Sequence, residues 1–212
     1  LIEQILSSHK NVFGGGEIPY MQEIANKIIN EKKIDVSSID NYRNDYLSLI
    51  SELNDSSSFF TDKELLNFYN IGLILSLFPK AKIINCTRDP LDNCWSIYKN
   101  YFPTKISFGN DLSDLSNYYK SYEDLMFFWK SLFPNDIYDL KYENLVNNTK
   151  DEVKKLLEFC SLEWDDNCLQ HHKNKRVIKT ISFNQARKPI YNTSLKSYNG
   201  YETYLTELKD LS

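Results

Sequence analysis

The chain has 212 residues, of which 42% are hydrophobic and 14% aromatic, so we expect one compact domain over residues 1–212 with a sizeable core. Its formal net charge of −4 argues against a broad nucleic-acid-binding surface, because such a surface is rich in lysine and arginine. No run of about twenty apolar residues is present, so the sequence predicts no membrane span. A small anion is the favoured partner.

The cysteines argue for packing rather than for chemistry. Their positions, which include no Cys-x-x-Cys pair and match no zinc spacing, are Cys86, Cys94, Cys160 and Cys168. We therefore predict four buried thiols, no disulfide framework and no metal site. With no span and no disulfides, the composition favours a cytoplasmic location.

The first third of the chain is predicted to be mostly helical. The spacing of Ile2, Ile5 and Leu6 predicts a short helix that ends before His9, with no methionine or cap before it, so we expect that an N-terminal part is missing. A glycine run at residues 14–16 then forms a loop that leads to Glu17. Further helices are predicted at residues 21–29 and around residues 42–53.

Strands and helices alternate along the rest of the chain. Strands are predicted near residues 59–60, 81–87 and 137–141. Helices are predicted at residues 66–78 and 115–133, and a third follows a capping box formed by Thr149 and Glu152. This alternation favours an α/β fold with a parallel sheet and helices on both of its faces.

The strongest local signal for binding is Arg88, which follows the predicted strand at residues 81–87. Asp89 and Pro90 are typical of a helix start, and an arginine beside free N–H groups at such a start favours an anion. Ser96 lies on that helix away from its apolar stripe and is available to a polar ligand. A second interpretation stays open, in which Arg88 merely pairs with Asp89 or Asp92 and Ser96 faces solvent.

Five blocks of sequence extend this signal over essentially the whole chain. They are residues 1–9 together with 14–17, then 61–63, 82–96, 141–145 and 187–191. In this order they closely resemble the bacterial sulfotransferases that are often fused to tetratricopeptide repeats, and more distantly the tyrosylprotein sulfotransferases. Any one block is a weak signal, whereas the ordered set is specific.

The resemblance implies a P-loop-type α/β fold and transfer of a sulfonate group from 3′-phosphoadenosine 5′-phosphosulfate (PAPS) to an acceptor hydroxyl. It also implies that the N-terminal strand and the phosphosulfate-binding loop are missing from these 212 residues, and that a repeat domain could precede them. The acceptor hydroxyl stays open between a small molecule, a sugar and a protein tyrosine. No metal is required, because side chains and helix N–H groups meet the charge of the leaving nucleotide.

The same resemblance implies the catalytic residues. Glu17 matches the general base, and Lys63 and Ser182 match the donors to the transferring sulfonate. A carboxylate can take the proton that the hydroxyl loses, and an ammonium can stabilise the charge that grows on the leaving oxygen. One departure lies close by, because Leu65 stands where the family usually has proline.

For the donor site, the resemblance implies contacts to the 3′-phosphate, to adenosine and from a segment that closes over the nucleotide. In that order the residues are Arg88 and Ser96, then Tyr142, then Gln185, Arg187 and Lys188. A second basic contact is absent at Asn100, where the tyrosylprotein enzymes have arginine, and a late basic position falls on Ser197, beside Lys196.

Two other functions remain open from the sequence. The first is a P-loop nucleotide or small-molecule kinase, which the absence of a Gly-x-x-x-x-Gly-Lys-Ser/Thr motif disfavours. The second is a non-catalytic module that binds a phosphonucleotide or a protein, which would be supported if Glu17 and Lys63 did not face a common cleft.

Overall fold

A computed structural model describes residues 1–31, 36–53, 56–100, 106–174, 187–191 and 195–211. The chain divides into two compact units, of which the first comprises Leu1–Ile83 and Lys150–Pro189 and the second Ile84–Thr149 and Ile190–Ser212. The single domain expected over residues 1–212 stays a prediction. Ser182 and Gln185 lie outside the described residues.

The described residues form helices and short strands, which confirms the predicted α/β class. In chain order the elements are α1 (Ile2–Leu6), β1 (Val12–Gly14), α2 (Tyr20–Glu31), α3 (Val36–Leu53), β2 (Phe59–Thr61), a 3-10 helix (Leu65–Asn70), α4 (Ile71–Leu77), β3 (Ile83–Thr87), α5 (Pro90–Tyr98), a 3-10 helix (Ser107–Asn110), α6 (Leu112–Leu132), β4 (Ile137–Lys141), α7 (Tyr142–Asn147), α8 (Thr149–Phe159) and 3-10 helices at Asp166–Lys173, Glu202–Tyr204 and Thr206–Leu211.

In the first unit, β1 and β2 form a parallel pair in which Val12 lies opposite Phe59 and Gly14 opposite Thr61. The carboxyl ends of parallel strands lie at the same edge, so the segments that follow β1 and β2 start side by side. At this edge a Cβ atom on Gly15 would lie 2.5 Å from the Thr61 carbonyl oxygen, so only glycine fits.

The core of the first unit lies between α2, α3 and α4. Its buried side chains, which come from these helices and from the segment just before α2, are Ile18, Met21, Ile24, Tyr42, Tyr46, Ile50 and Leu77. Because α2 begins only three residues after Glu17, burial of its apolar face fixes one end of the loop that carries this carboxylate.

In the second unit, β3 pairs with β4, and α5 and α6 pack with the end of the chain. The buried core comes from α5, α6 and the last described residues, and its members are Cys94, Leu115, Tyr119, Leu205, Leu208 and Leu211. One face of α6 is therefore part of the core, although Leu132 at the end of the helix is exposed.

Several details differ from the sequence-based expectations. The helix predicted at residues 66–78 is a 3-10 helix followed by α4, and the Thr149 hydroxyl of the predicted capping box donates to the Leu145 carbonyl at 2.8 Å. Cys94 and Cys168 are buried free thiols, but Cys86 is exposed. No helix among the described residues is long and apolar enough to cross a membrane.

Candidate functional site

Glu17 and Lys63, 46 residues apart in the sequence, meet in the first unit. The Lys63 Nζ lies 2.5 Å from the Glu17 Oε1, and each side chain is about one-third exposed, at 29% for Lys63 and 34% for Glu17. The pair follows the two parallel strands, with Glu17 after β1 and Lys63 after β2. A carboxylate and an ammonium within reach of solvent can act together on one bound molecule.

Backbone hydrogen bonds hold the two segments that carry this pair. The Gly15 N–H donates to the Thr61 carbonyl at 2.8 Å, and the Lys63 N–H donates to the Gly16 carbonyl at 2.6 Å. Gly16 has a φ of 77°, a left-handed conformation that glycine adopts without strain. The positions of Glu17 and Lys63 are therefore set by the backbone as well as by their own ion pair.

Two further carboxylates that the sequence analysis did not single out flank the pair. The Glu3 Oε1 accepts hydrogen bonds from the Gly16 N–H at 2.7 Å and from the Thr61 hydroxyl at 3.2 Å. Asp62 accepts from the Tyr46 hydroxyl at 2.8 Å and from the Glu64 N–H at 3.0 Å. These two partners are 13 and 58 residues away from Glu3, so no short motif marks the contacts.

Burial dominates the electrostatics around Asp62. It raises the pKa of the Asp62 carboxyl, while the hydrogen bonds from Glu64 and Tyr46 act in the opposite direction. Burial also raises the pKa of the Tyr46 hydroxyl, with the Asp62 charge adding to the effect. Tyr46 therefore remains a neutral donor that fixes the start of the segment carrying Lys63.

The departure from the family at Leu65 has a structural counterpart. Leu65 begins a 3-10 helix, and the Glu64 side chain caps it by accepting from the Leu66 N–H at 3.4 Å. A carboxylate cap thus starts the helix here without the fixed φ that proline would supply.

In the second unit, Arg88 follows β3 and lies between a carboxylate and an aromatic ring. Its Nη2 lies 3.4 Å from the Asp92 Oδ2, and its guanidinium carbon lies 5.3 Å from the centre of the Tyr142 ring. Only 20% of the Arg88 side chain is exposed. The sequence analysis left a pairing of Arg88 with Asp92 open, and the structure confirms this pairing.

Asp92 has more partners than Arg88 alone. Its carboxylate, in a residue only 1% exposed, accepts from the backbone N–H groups of Lys196 and Ser197, both at 2.6 Å, and from the Ser197 hydroxyl at 3.1 Å. Lys196 has a φ of 53°, the left-handed turn that points these two N–H groups toward one carboxylate. Asp92 thus connects Ser197, the position at which the family has a basic residue, to the start of α5.

The start of α5 is capped by the chain itself. The Asp89 Oδ1 accepts from the Asp92 N–H at 2.9 Å, and the Glu143 Oε1 accepts from the Asp89 N–H at 2.8 Å. The expectation of free N–H groups at this helix end is therefore wrong for the Asp92 amide. An anion bound here would rely on Arg88 rather than on that amide.

Ser96 is half-buried, and its predicted role as a ligand of the 3′-phosphate stays a prediction. Its neighbour Trp95 donates from Nε1 to the Ser197 carbonyl at 3.0 Å, which places this turn of α5 against the late basic position. Burial raises the pKa of the Tyr191 hydroxyl, and the Arg88 charge acts in the opposite direction. The second unit thus brings Arg88 and the Tyr142 ring together.

Arg187 and Lys188 are exposed residues of the first unit. Their segment is held by His171, whose Nε2–H donates to the Lys188 carbonyl at 3.2 Å. The predicted roles of these two residues and of Ser182 and Gln185 stay predictions. Among the described residues no group of three His, Cys, Asp or Glu side chains could hold a metal ion, and the expectation of a metal-free reaction also stays a prediction.

Comparison with known proteins places the chain in a family. The model of the sulfotransferase family matches residues 1–166. An uncharacterized protein of Aquifex aeolicus (strain VF5) is 34% identical over 229 residues, in an alignment that covers 100% of this chain and 30% of that protein. The chain thus spans about 30% of the length of this curated relative. Because the family model matches most of the chain, the chain belongs to the sulfotransferase family.

Proposed function

We propose that this chain transfers a sulfonate group from PAPS to an acceptor hydroxyl, with Glu17 as general base. Membership of the sulfotransferase family supports sulfonate transfer, and the identities of donor and acceptor go further. The observation that carries it is the contact between Glu17 and Lys63, which brings a base and a cation to one place.

The pair provides both functions that the reaction requires. As the acceptor oxygen bonds to sulfur, its proton moves to the Glu17 carboxylate. As the sulfur–oxygen bond to the leaving phosphate breaks, the Lys63 ammonium meets the charge that grows on the bridging oxygen. Ser182, matched through the family resemblance, is proposed as a further donor to the sulfonate oxygens.

The residues of the second unit fit a 3′-phosphoadenosine group. A guanidinium offers a fork of donors to phosphate oxygens, and Arg88 is held in place by Asp92 and by the Tyr142 ring. Tyr142 offers an aromatic face to adenine, and Ser96 offers a hydroxyl close to Arg88 in sequence. Gln185, Arg187 and Lys188 are proposed to close over the nucleotide.

The proposal specifies the acceptor only as a hydroxyl compound. A carboxylate base accepts the proton of any hydroxyl, so Glu17 alone does not separate a sugar from a tyrosine or a small metabolite. We keep the acceptor as a hydroxyl compound and propose that the reaction takes place in the cytoplasm. No feature of the described residues favours a kinase over a sulfotransferase.

The test is calorimetric binding of 3′-phosphoadenosine 5′-phosphate (PAP), the desulfonated donor, without Mg²⁺. We expect PAP to bind more tightly than adenosine 5′-phosphate, and Arg88→Ala to weaken PAP binding by roughly 10- to 100-fold, since a charge-assisted hydrogen bond contributes about 1.5–3 kcal/mol. Lys154→Ala is the control, because Lys154 is an exposed cation of α8 and its removal should leave binding unchanged.

Arg88→Lys shows whether weaker PAP binding in Arg88→Ala comes from the lost contact or from a disrupted fold. Lysine keeps the charge opposite Asp92 but not the fork of donors, so we expect it to fold and to bind PAP with intermediate affinity. Equal affinity for PAP and adenosine 5′-phosphate, or a preference for ATP with Mg²⁺, would contradict the PAPS assignment. In that case a kinase or a non-catalytic nucleotide-binding module would take its place.

A further inference from the structure

The two segments that carry Glu17 and Lys63 share a side-chain partner in Glu3. One oxygen of its carboxylate, Oε1, accepts from the Gly16 N–H at 2.7 Å and from the Thr61 hydroxyl at 3.2 Å. Gly16 directly precedes Glu17, and Thr61 is two residues before Lys63. A single carboxylate oxygen thus bridges the two segments, one or two residues before Glu17 and Lys63.

The Gly16 amide depends on this contact. Gly16 has a left-handed φ of 77°, and its carbonyl accepts from the Lys63 N–H at 2.6 Å. The peptide group on its other side presents the N–H that Glu3 accepts. If this N–H lost its acceptor, it would turn toward water, and rotation about the glycine would move the Glu17 side chain.

Glu3 lies on α1, which is anchored by packing. The adjacent residues Gln4, Ile5 and Leu6 are buried, and α1 packs against the 3-10 helix at Asp166–Lys173. The His9 Nε2–H, just after α1, donates to the Glu163 carbonyl at 3.1 Å. A carboxylate on an anchored helix can hold a glycine-rich loop in place, whereas a carboxylate on a mobile loop could not.

We infer that Glu3 is a positioning residue that holds the Gly16 and Thr61 segments together so that Glu17 and Lys63 face each other. Glu3 acts through these hydrogen bonds and not by contact with the reacting groups. The inference deepens the proposed sulfonate transfer and rests on it for its catalytic meaning. The geometric part, that Glu3 maintains the pair, stands independently of which reaction the pair serves.

The experiment compares three changes in the full chain. Glu3→Ala removes both hydrogen bonds, Glu3→Gln keeps an acceptor oxygen but removes the charge, and Thr61→Val removes only one donor. Glu158→Ala is the matched control, because Glu158 is an exposed carboxylate of the same unit that pairs with Lys154 at 3.9 Å. Circular dichroism and thermal unfolding verify that each variant folds.

The first measurement is the rate at which acetic anhydride modifies Lys63 relative to Lys80, an exposed lysine of the same unit, read by peptide mass spectrometry. Lys63 is shielded by its partner Glu17, so a disrupted pair should react faster. We expect Glu3→Ala to raise this relative rate by roughly tenfold and Thr61→Val by less, on the scale of one or two lost hydrogen bonds. The relative rate for Lys63 in Glu3→Gln and in Glu158→Ala should remain close to that of the chain without substitutions.

An unchanged Lys63 rate in Glu3→Ala overturns the inference. Equal increases in Glu3→Ala and Glu3→Gln also overturn it, because charge rather than hydrogen bonding would then be responsible. If Glu3→Ala fails to fold, Thr61→Val and Glu3→Gln decide the question: an increase in the first with none in the second supports the inference, and any other pattern overturns it.

The second measurement follows conversion of PAPS to PAP with p-nitrophenol as acceptor. We expect Glu3→Ala to lower kcat with little change in the KM for PAPS, and Glu3→Gln to restore most of kcat, which a general loss of stability would not do. If the unmodified chain does not turn over PAPS, the proposed function fails on its own, and the Lys63 rates still decide whether Glu3 positions the pair.

Discussion

At the scale of single residues, Asp92 is the most constrained carboxylate of the second unit. It is 1% exposed, and four donors from Arg88, Lys196 and Ser197 converge on it. A buried charge is tolerated only when it is paired and hydrogen-bonded, and Asp92 satisfies both conditions. Its removal would leave Arg88 and two backbone amides without their acceptor.

We therefore expect Asp92→Ala to be strongly destabilising. Removal of one partner from a buried ion pair costs about 3–5 kcal/mol, and urea unfolding of the variant should show a loss of this size. Asp40→Ala is the matched control, since Asp40 also pairs with an arginine, Arg43 at 2.6 Å, but is 58% exposed. Its loss should be below about 1 kcal/mol. Equal losses in the two variants would contradict the role of burial.

The residue scale also shows how far the sequence could lead. The family register singled out Glu17 and Lys63, and the structure brings the two side chains into contact, while their catalytic roles stay predictions. The contacts of Glu3, and those of Asp92 with Lys196 and Ser197, were not predicted, because these partners are brought close only by folding, over as many as 105 residues for Asp92 and Ser197. A single sequence carries no sign of such contacts, since isolated carboxylates are ordinarily solvated.

At the scale of elements, α5 and α6 both begin with an aspartate N-cap. The Asp89 Oδ1 accepts from the Asp92 N–H at 2.9 Å, and the Asp111 Oδ1 accepts from the Ser113 and Asp114 N–H groups at 2.8 and 2.9 Å. The first cap lies beside the proposed donor site and the second does not. The two helices therefore allow a cap to be tested separately for stability and for binding.

We expect Asp89→Ala and Asp111→Ala each to lower the free energy of unfolding by about 1 kcal/mol, the usual effect of losing an N-cap. Only Asp89→Ala should also change the affinity for PAP, because a frayed first turn of α5 would displace Arg88. Urea unfolding and calorimetry measure the two effects. A loss of PAP binding in Asp111→Ala, or none in Asp89→Ala, would contradict a local link between this cap and the site.

Local signals explain which elements could be predicted. The sequence Asp89-Pro90 marks the start of α5 correctly, because capping involves neighbours in the chain. The three-residue strand β1 was not predicted, since its pairing with β2 depends on residues 47 positions away, as between Val12 and Phe59. The predicted parallel sheet occurs as two two-stranded sheets within the described residues.

At the scale of the whole molecule, each unit is completed by a segment from late in the chain. In the first unit the 3-10 helix at Asp166–Lys173 packs on α1, and in the second the helix at Thr206–Leu211 packs on α5 and α6. The family resemblance could indicate the order of the elements. The resemblance could not show that these late helices pack on α1, α5 and α6, because such packing joins distant segments and leaves no local pattern.

His171 connects the stability of the first unit to pH. The side chain is 2% exposed, its Nε2–H donates to the Lys188 carbonyl, and its ring meets that of His172 edge to face. Burial lowers the pKa of His171, against the opposing effect of the Lys188 carbonyl. The neutral ring is therefore the form that fits the fold, and it holds the segment that carries Arg187 and Lys188.

A lowered pKa sets the direction of the pH dependence. Above pH 6.5, the ordinary value for histidine, the ring is neutral in both folded and unfolded chains, and its contribution to stability is fully present. As the pH falls below this value, the unfolded chain takes up a proton before the folded chain does, so the free energy of unfolding decreases. The decrease continues until the pH reaches the lowered pKa of the folded state.

We expect His171→Gln to reduce this loss, because glutamine keeps an N–H donor for the Lys188 carbonyl but does not titrate. Urea unfolding at pH 7.5 and pH 5.5 should show a smaller difference for the variant than for the unmodified chain. Asn174→Ala is the control, since it removes a hydrogen bond to the Ser7 carbonyl and should lower stability similarly at both pH values. If His171→Gln retained the full difference, another group would be responsible, and the His171 ring would not be the group that couples protonation to this segment.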